Sequence, residues 1–303
     1  MKTRILVATD GTPVSRGALR LALDLARTGG VEVDVLLVAG PTGAREAAST
    51  VGADASDRAA AWSEPVRARL VRELAALGPE ASAWVRLIGF GSPGPSIARV
   101  AEERNAALIL LGLRRGEGSA DQLRGDTTMR VIQSSEVPVL AVHPEVVGLP
   151  RRILVALDFD DSSLDAARAL LPLLGGDASL HLAHVALQVG TGHPGLVQQW
   201  ETTYMTGAAT RLEELARDLE ESGRIAVGTH VAAGDPEEKL LELADNLDAD
   251  LITVGRHGDS RSVALALIRS APCSVLVAPA GAASGASPPR PLAKPGAGVP
   301  QHA

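Results

Sequence analysis

The chain has 303 residues, 46% of them hydrophobic and 21% charged, which is enough for two domains with separate cores. A formal charge of −7 argues against a nucleic-acid partner, and aromatics at 2% leave no platform for stacking single strands. The lone Cys273 excludes an internal disulfide, no Cys/His cluster has zinc spacing, and no apolar run approaches the ~18 residues of a membrane span. No leader pattern precedes the first apolar run, so the expectation is a soluble, cytoplasmic protein without a membrane partner.

Ile5–Thr9 is a short apolar run suited to a strand buried on both faces of a parallel sheet. Asp10-Gly11-Thr12-Pro13 breaks it, a helix follows through Leu19–Ala26, and Gly29-Gly30 stops that helix. Strands are predicted at 31–39, 83–88, 108–111 and 137–142, with helices over 67–77, 93–103 and 127–134 and a loop over 40–56. The second half predicts strands near 152–157, 178–186, 225–232, 250–254 and 273–278. Residues 280–303, rich in Gly, Pro and Ala, predict a disordered tail.

The halves also match residue by residue. RILVATD at 4–10 returns as RILVALD at 152–158, ALILLG at 107–112 as DLITVG at 250–255, and EVPVLAV at 136–142 as PCSVLVA at 272–278. Three blocks in the same order indicate one domain duplicated in tandem, with a unit far too long for a solenoid repeat. The domains are placed at 1–146 and 150–279. Alternating strands and helices imply right-handed crossovers and a parallel sheet covered on both faces.

Ligands of open α/β sheets bind beyond the carboxyl ends of the strands. That singles out Asp10, Val38 and the loop from Gly112 in the first half, and Asp158, Val185 and the loop from Gly255 in the second. Both loops lead from a Gly into a helix N-terminus, which suits phosphate.

These blocks, with Gly234-Asp235-Pro236 and the closing SAPCSVLVA, resemble the universal stress protein family over residues 2–279. The resemblance implies two tandem Rossmann-like domains of the adenine-nucleotide α-hydrolase-like kind. Each would be a five-stranded parallel sheet in order 3-2-1-4-5, often dimerising through the fifth strand. It also implies, in the ATP-binding branch, G-x2-G-x9-G-[ST] after strand four, an acidic residue after strand one and a backbone contact to adenine after strand two. In the first half Gly112 and Gly125 match, Arg115 replaces the second Gly and Asp126 stands at the Ser/Thr, followed by Thr127. In the second half Gly255 and Gly258 match, but seven residues of the loop are missing, which puts Arg261 at the third Gly and Ser262 at the Ser/Thr. A carboxylate at Asp126 within ~4 Å of a phosphate charge would cost about 4 kcal/mol at an effective dielectric near 20. Arg114 and Arg115 bring compensating charge to the loop.

Other candidates have plainer readings. Asp10 and Asp158 serve equally well as helix caps or as contacts to a ribose or base. His257 reads as a polar loop residue, Cys273 as a buried inert thiol, and His181 with His184 as strand histidines lacking a third metal ligand. No catalytic constellation assembles. The expected function is therefore a non-catalytic stress-response protein with an adenine-nucleotide site (ATP, with Mg) in the first half, built as an internal pseudo-dimer and a candidate homodimer. The alternative is a signalling or interaction scaffold that has lost nucleotide and works through a protein partner.

Overall fold

The computed structural model describes residues 3–28, 30–39, 67–90, 92–113, 127–159, 177–187, 194–223, 225–256 and 263–279. The expected loop at 40–56 and tail at 280–303 lie outside them. Ten strands form one sheet: β1 (Thr3–Thr9), β2 (Val31–Ala39), β3 (Val85–Phe90), β4 (Leu108–Gly112), β5 (Val139–Val142), β6 (Arg152–Ala156), β7 (Ser179–Ala186), β8 (Ala226–Ala233), β9 (Leu251–Gly255) and β10 (Ser274–Ala278). Their order is β3-β2-β1-β4-β5-β10-β9-β6-β7-β8. Each half has the expected order 3-2-1-4-5. The halves join at their fifth strands, where Val139, Leu140 and Ala141 pair antiparallel with Val277, Leu276 and Val275. The junction removes two apolar edges that would otherwise stay unpaired.

The helices are α1 (Arg16–Arg27), α2 (67–77), α3 (Pro79–Ser82), α4 (Pro93–Glu103), α5 (Thr127–Ser134), α6 (Pro194–Gly223), α7 (Pro236–Asn246) and α8 (Val263–Ser270). Ile5 and Val7 of the central strand face a core with Leu19, Ala22, Leu25, Leu70 and Leu74 of α1 and α2. Leu6 and Ala8 face the opposite core, with Ile97 and Ala101 of α4. Burial on both sides is why that run is continuously apolar. Each core includes residues of both halves, so the cores run along the whole sheet.

Two strands start two residues later than expected, for local reasons. β3 starts at Val85 because α3 closes just before it, with the amides of Ala83 and Trp84 donating to the carbonyls of Glu80 and Ala81. β5 starts at Val139 because Pro138 has no N–H and Val137 is tied back to Ser135, whose Oγ accepts from its amide and donates to its carbonyl, both at 2.9 Å. In the second half Asp235 caps α7, its Oδ1 accepting from the Glu238 amide at 3.0 Å. No described helix is long and apolar enough to cross a membrane.

Arg256, next after β9, clasps the other half. Its guanidinium donates to the carbonyls of Ile132 (2.5 Å) and Ser135 (3.0 Å) at the end of α5, and pairs with Glu136 at 3.3 Å. A cation over the last carbonyls of a helix also meets the negative end of its dipole.

Candidate functional site

In the first half the topology switches between β1 and β4, whose neighbours are β2 and β5. Asp10, Val38 and Gly112 thus lie at or just beyond the carboxyl ends of three adjoining strands. The turn after β1 is closed by its own side chains. Asp10 Oδ1 accepts from the Thr12 amide at 2.9 Å and from the Thr12 hydroxyl at 2.6 Å, an Asx-type turn rather than a cap on α1. Buried Thr9 Oγ1 accepts from the Gly11 amide at 2.9 Å and lies 2.6 Å from Ser15 Oγ. Ser15 spends its only proton on the Thr12 carbonyl at 2.9 Å, so Thr9 is the donor to Ser15.

Gly112 is held by a close approach. A Cβ there would lie 2.2 Å from the Val14 carbonyl oxygen and 2.9 Å from Ser15 Cα. Val38 is half-buried and pairs with Gly89 of β3. Thr127 opens α5 and is half-buried, while Thr128 beside it is buried. Arg114, Arg115, Gly125 and Asp126 lie outside the described residues, as do His257, Gly258, Arg261 and Ser262.

Cationic charge stands over the first-half turn. Gly11 has a φ of 71°, and a Cβ on it would lie 2.9 Å from Arg69 Nε. One turn further along α2, burial raises the Glu73 carboxyl above the usual range, opposed by the charges of Arg69 and Arg16.

The second half builds the same turn differently. Phe159 follows Asp158 where Gly11 follows Asp10 and keeps the left-handed backbone, with φ at 67°. For a residue with a side chain that conformation costs roughly 1–2 kcal/mol, so its surroundings must hold it. Its ring lies 4.4 Å from that of His184, and the Arg211 guanidinium lies 4.5 Å from its centroid. His184 is buried, with Nδ1 at 2.7 Å from the Leu157 carbonyl oxygen and Nε2 at 2.9 Å from the Tyr204 hydroxyl. Because a carbonyl only accepts, Nδ1 carries the proton and Tyr204 donates to Nε2. Val185, half-buried on β7, lines a separate groove beside β8 together with His230, Lys239 and Glu242. Gly255 is buried at the end of β9 and Asp158 is exposed.

His181 and His184 do not share a face. Successive strand residues point to opposite sides, so an odd spacing separates them: His184 meets Tyr204 of α6, while His181 meets His230 of β8 at 3.2 Å. They cannot chelate one ion together. Cys273 is buried and forms no disulfide.

Burial lowers the pKa of His181, His184 and His230. At His181 the charges of His230 and Arg152 add to it, and at His184 the Leu157 carbonyl partly opposes it. Unfolding restores the ordinary value near 6.5, so between that value and the lowered ones the unfolded chain binds more protons. Stability from these groups is complete above about pH 6.5 and is lost below it. Glu73 acts in the opposite sense, its contribution fading as pH rises through its raised pKa. With three groups against one, the urea midpoint is expected to fall between pH 7.5 and 5.5, and His184→Gln to flatten that fall. A midpoint level across the range in the unsubstituted chain would contradict the assignment.

A doubly wound sheet, duplicated about a junction of fifth strands, defines a tandem α/β protein of two like domains. The model of the universal stress protein family matches residues 1–143 and again 150–279, and the chain belongs to that family. The universal stress protein Rv1636 of Mycobacterium tuberculosis is 31% identical over 130 residues, covering 41% of this chain and 88% of that protein. A universal stress protein from Archaeoglobus fulgidus has a TM-score of 0.65 at 24% identity, over 92% of this chain and 98% of its own. A universal stress protein in complex with cAMP matches 44% of this chain and 100% of its own, at 26% identity and a TM-score of 0.36.

Proposed function

We propose that this chain is a non-catalytic universal stress protein that binds one adenine nucleotide, in its first half. The carrying observation is the difference between the two turns after the first strands: Gly11 under a guanidinium in one half, Phe159 with its aromatic packing in the other. Arg69 fills the space that a side chain on Gly11 would take, and its guanidinium brings positive charge for an anionic ligand to the turn beside Asp10, Val38 and Gly112. The phosphates would then meet the loop ending in Gly125, Asp126 and Thr127, whose length matches the family motif, while the second-half loop is seven residues shorter.

The scaffold reading is favoured by one observation of its own. Asp10 is engaged in its turn and Gly112 is required by the Val14 backbone, so both residues have structural reasons to be there. Calorimetric titration of the full chain with ATP, with and without magnesium, separates the two. The proposal expects saturable binding at one nucleotide per chain. No heat and no displacement at millimolar ATP would leave the scaffold.

A further inference from the structure

We propose that His181 and His230 form a two-imidazole site for a divalent transition-metal ion on the outer strands of the second half. This is independent of the nucleotide reading. The residues come from adjacent parallel strands on the same sheet face, His181 opposite Gly228 and His230 opposite Ala183, two positions further along. Their rings lean together, with His181 Nδ1 at 3.2 Å from His230 Nε2 and the centroids 5.4 Å apart. Gly228 makes the approach feasible. A Cβ there would sit 3.0 Å from His181 Nδ1 and 3.6 Å from His230 Nε2.

Two imidazole nitrogens bound to one tetrahedral ion at 2.0–2.1 Å stand about 3.3 Å apart. At the ~90° of a tetragonal Cu2+ site they stand about 2.9 Å apart, so the observed 3.2 Å lies between the spacings of the two geometries. Burial favours the neutral form of both rings, and only neutral imidazole offers a lone pair. One proton now bridges the nitrogens, and a metal would replace it. His230, though not His181, also lines a cavity of about 500 Å³ with Thr229, Lys239, Glu242 and Asn246, which gives an ion and its water ligands access to that ring. Among the described residues no third His, Cys, Asp or Glu completes a cluster. The Arg152 charge acts on His181, although Asp248 pairs with it at 3.2 Å. Two protein ligands beside a partly neutralised cation make a reversible site, filled best by Cu2+ in the usual order of divalent ions.

The test is titration of the full chain with Cu2+ alone at pH 7.5, followed by electron paramagnetic resonance of the one-equivalent sample. The site predicts a signal split by two imidazole nitrogens. It also predicts that His181→Gln and His230→Gln each weaken the first binding event by at least about tenfold, since losing a ligand costs no less than losing an outer-shell partner. Gly228→Ala should weaken it too while leaving both imidazoles in place. Circular dichroism of each variant separates loss of the site from loss of the fold. Should a single substitution unfold the chain, the nitrogen count in the unsubstituted protein still decides. A one-nitrogen spectrum, or unchanged affinity in both folded histidine variants, would overturn the proposal.

Discussion

Leu276→Asp is expected to unfold both halves together. Leu276 is fully buried in β10, opposite Leu140 across the junction and beside Thr253 of β9. It shares a core with Leu140 and Val142 of the first half and Val155 and Leu251 of the second. Removing the side chain forfeits ~2 kcal/mol of burial. A carboxyl group in that position must also stay protonated, which at pH 7, ~3 units above the ordinary Asp value, costs about 4 kcal/mol. Together these approach the whole stability of an ordinary domain, ~5–15 kcal/mol. Far-UV circular dichroism against urea should show the folded baseline gone or shortened for the entire chain. Loss of about half the signal, with the remainder melting at the original midpoint, would mean that the halves are energetically separate.

Gly112→Ala should be the most damaging conservative change in the first half. The new methyl group would lie 2.2 Å from a backbone oxygen, and the Val14-Ser15 segment cannot give way as the end of a side chain would. Thr9, Ser15 and Thr12 already fix that segment through the bonds that close the turn. Overpacking of this kind costs roughly 1–3 kcal/mol, and rigid surroundings put the expectation at the upper end. Gly207→Ala is the matched control: this helical glycine of α6 has nothing within 4 Å of its missing Cβ. It should raise stability by about 0.5–1 kcal/mol. Equal urea midpoints for the two variants would remove the packing explanation of Gly112.

The architecture was legible because its causes are local and repeated. A run buried on both faces must be apolar throughout, as Ile5–Ala8 is, and the recurrence of RILVA-x-D fixed the duplication before any pairing was known. The apolar fifth strands announced their own junction, since neither tolerates being an edge. The site was legible at the level of strand ends but not of partners. Asp10 could be placed at a turn, yet its commitment to Thr12 depends on the conformation of four residues. The partner of His181 lies 49 residues away on β8, a distance that no spacing rule within β7 reveals. The role of Arg256 likewise depends on the end of α5 in the other half. Phe159 is a different case: the divergence of the two turns is visible in the aligned pairs Asp10-Gly11 and Asp158-Phe159, a signal left unused in the sequence reading.

The central claim, one nucleotide held by the first half, is tested most directly by locating the site. Calorimetry with ATP on the full chain, on Gly125→Arg and on Gly258→Arg puts the same bulky cation into each loop in turn. The account predicts one ATP per chain, abolished by Gly125→Arg and unchanged by Gly258→Arg. Binding that survives Gly125→Arg and disappears in Gly258→Arg would contradict it.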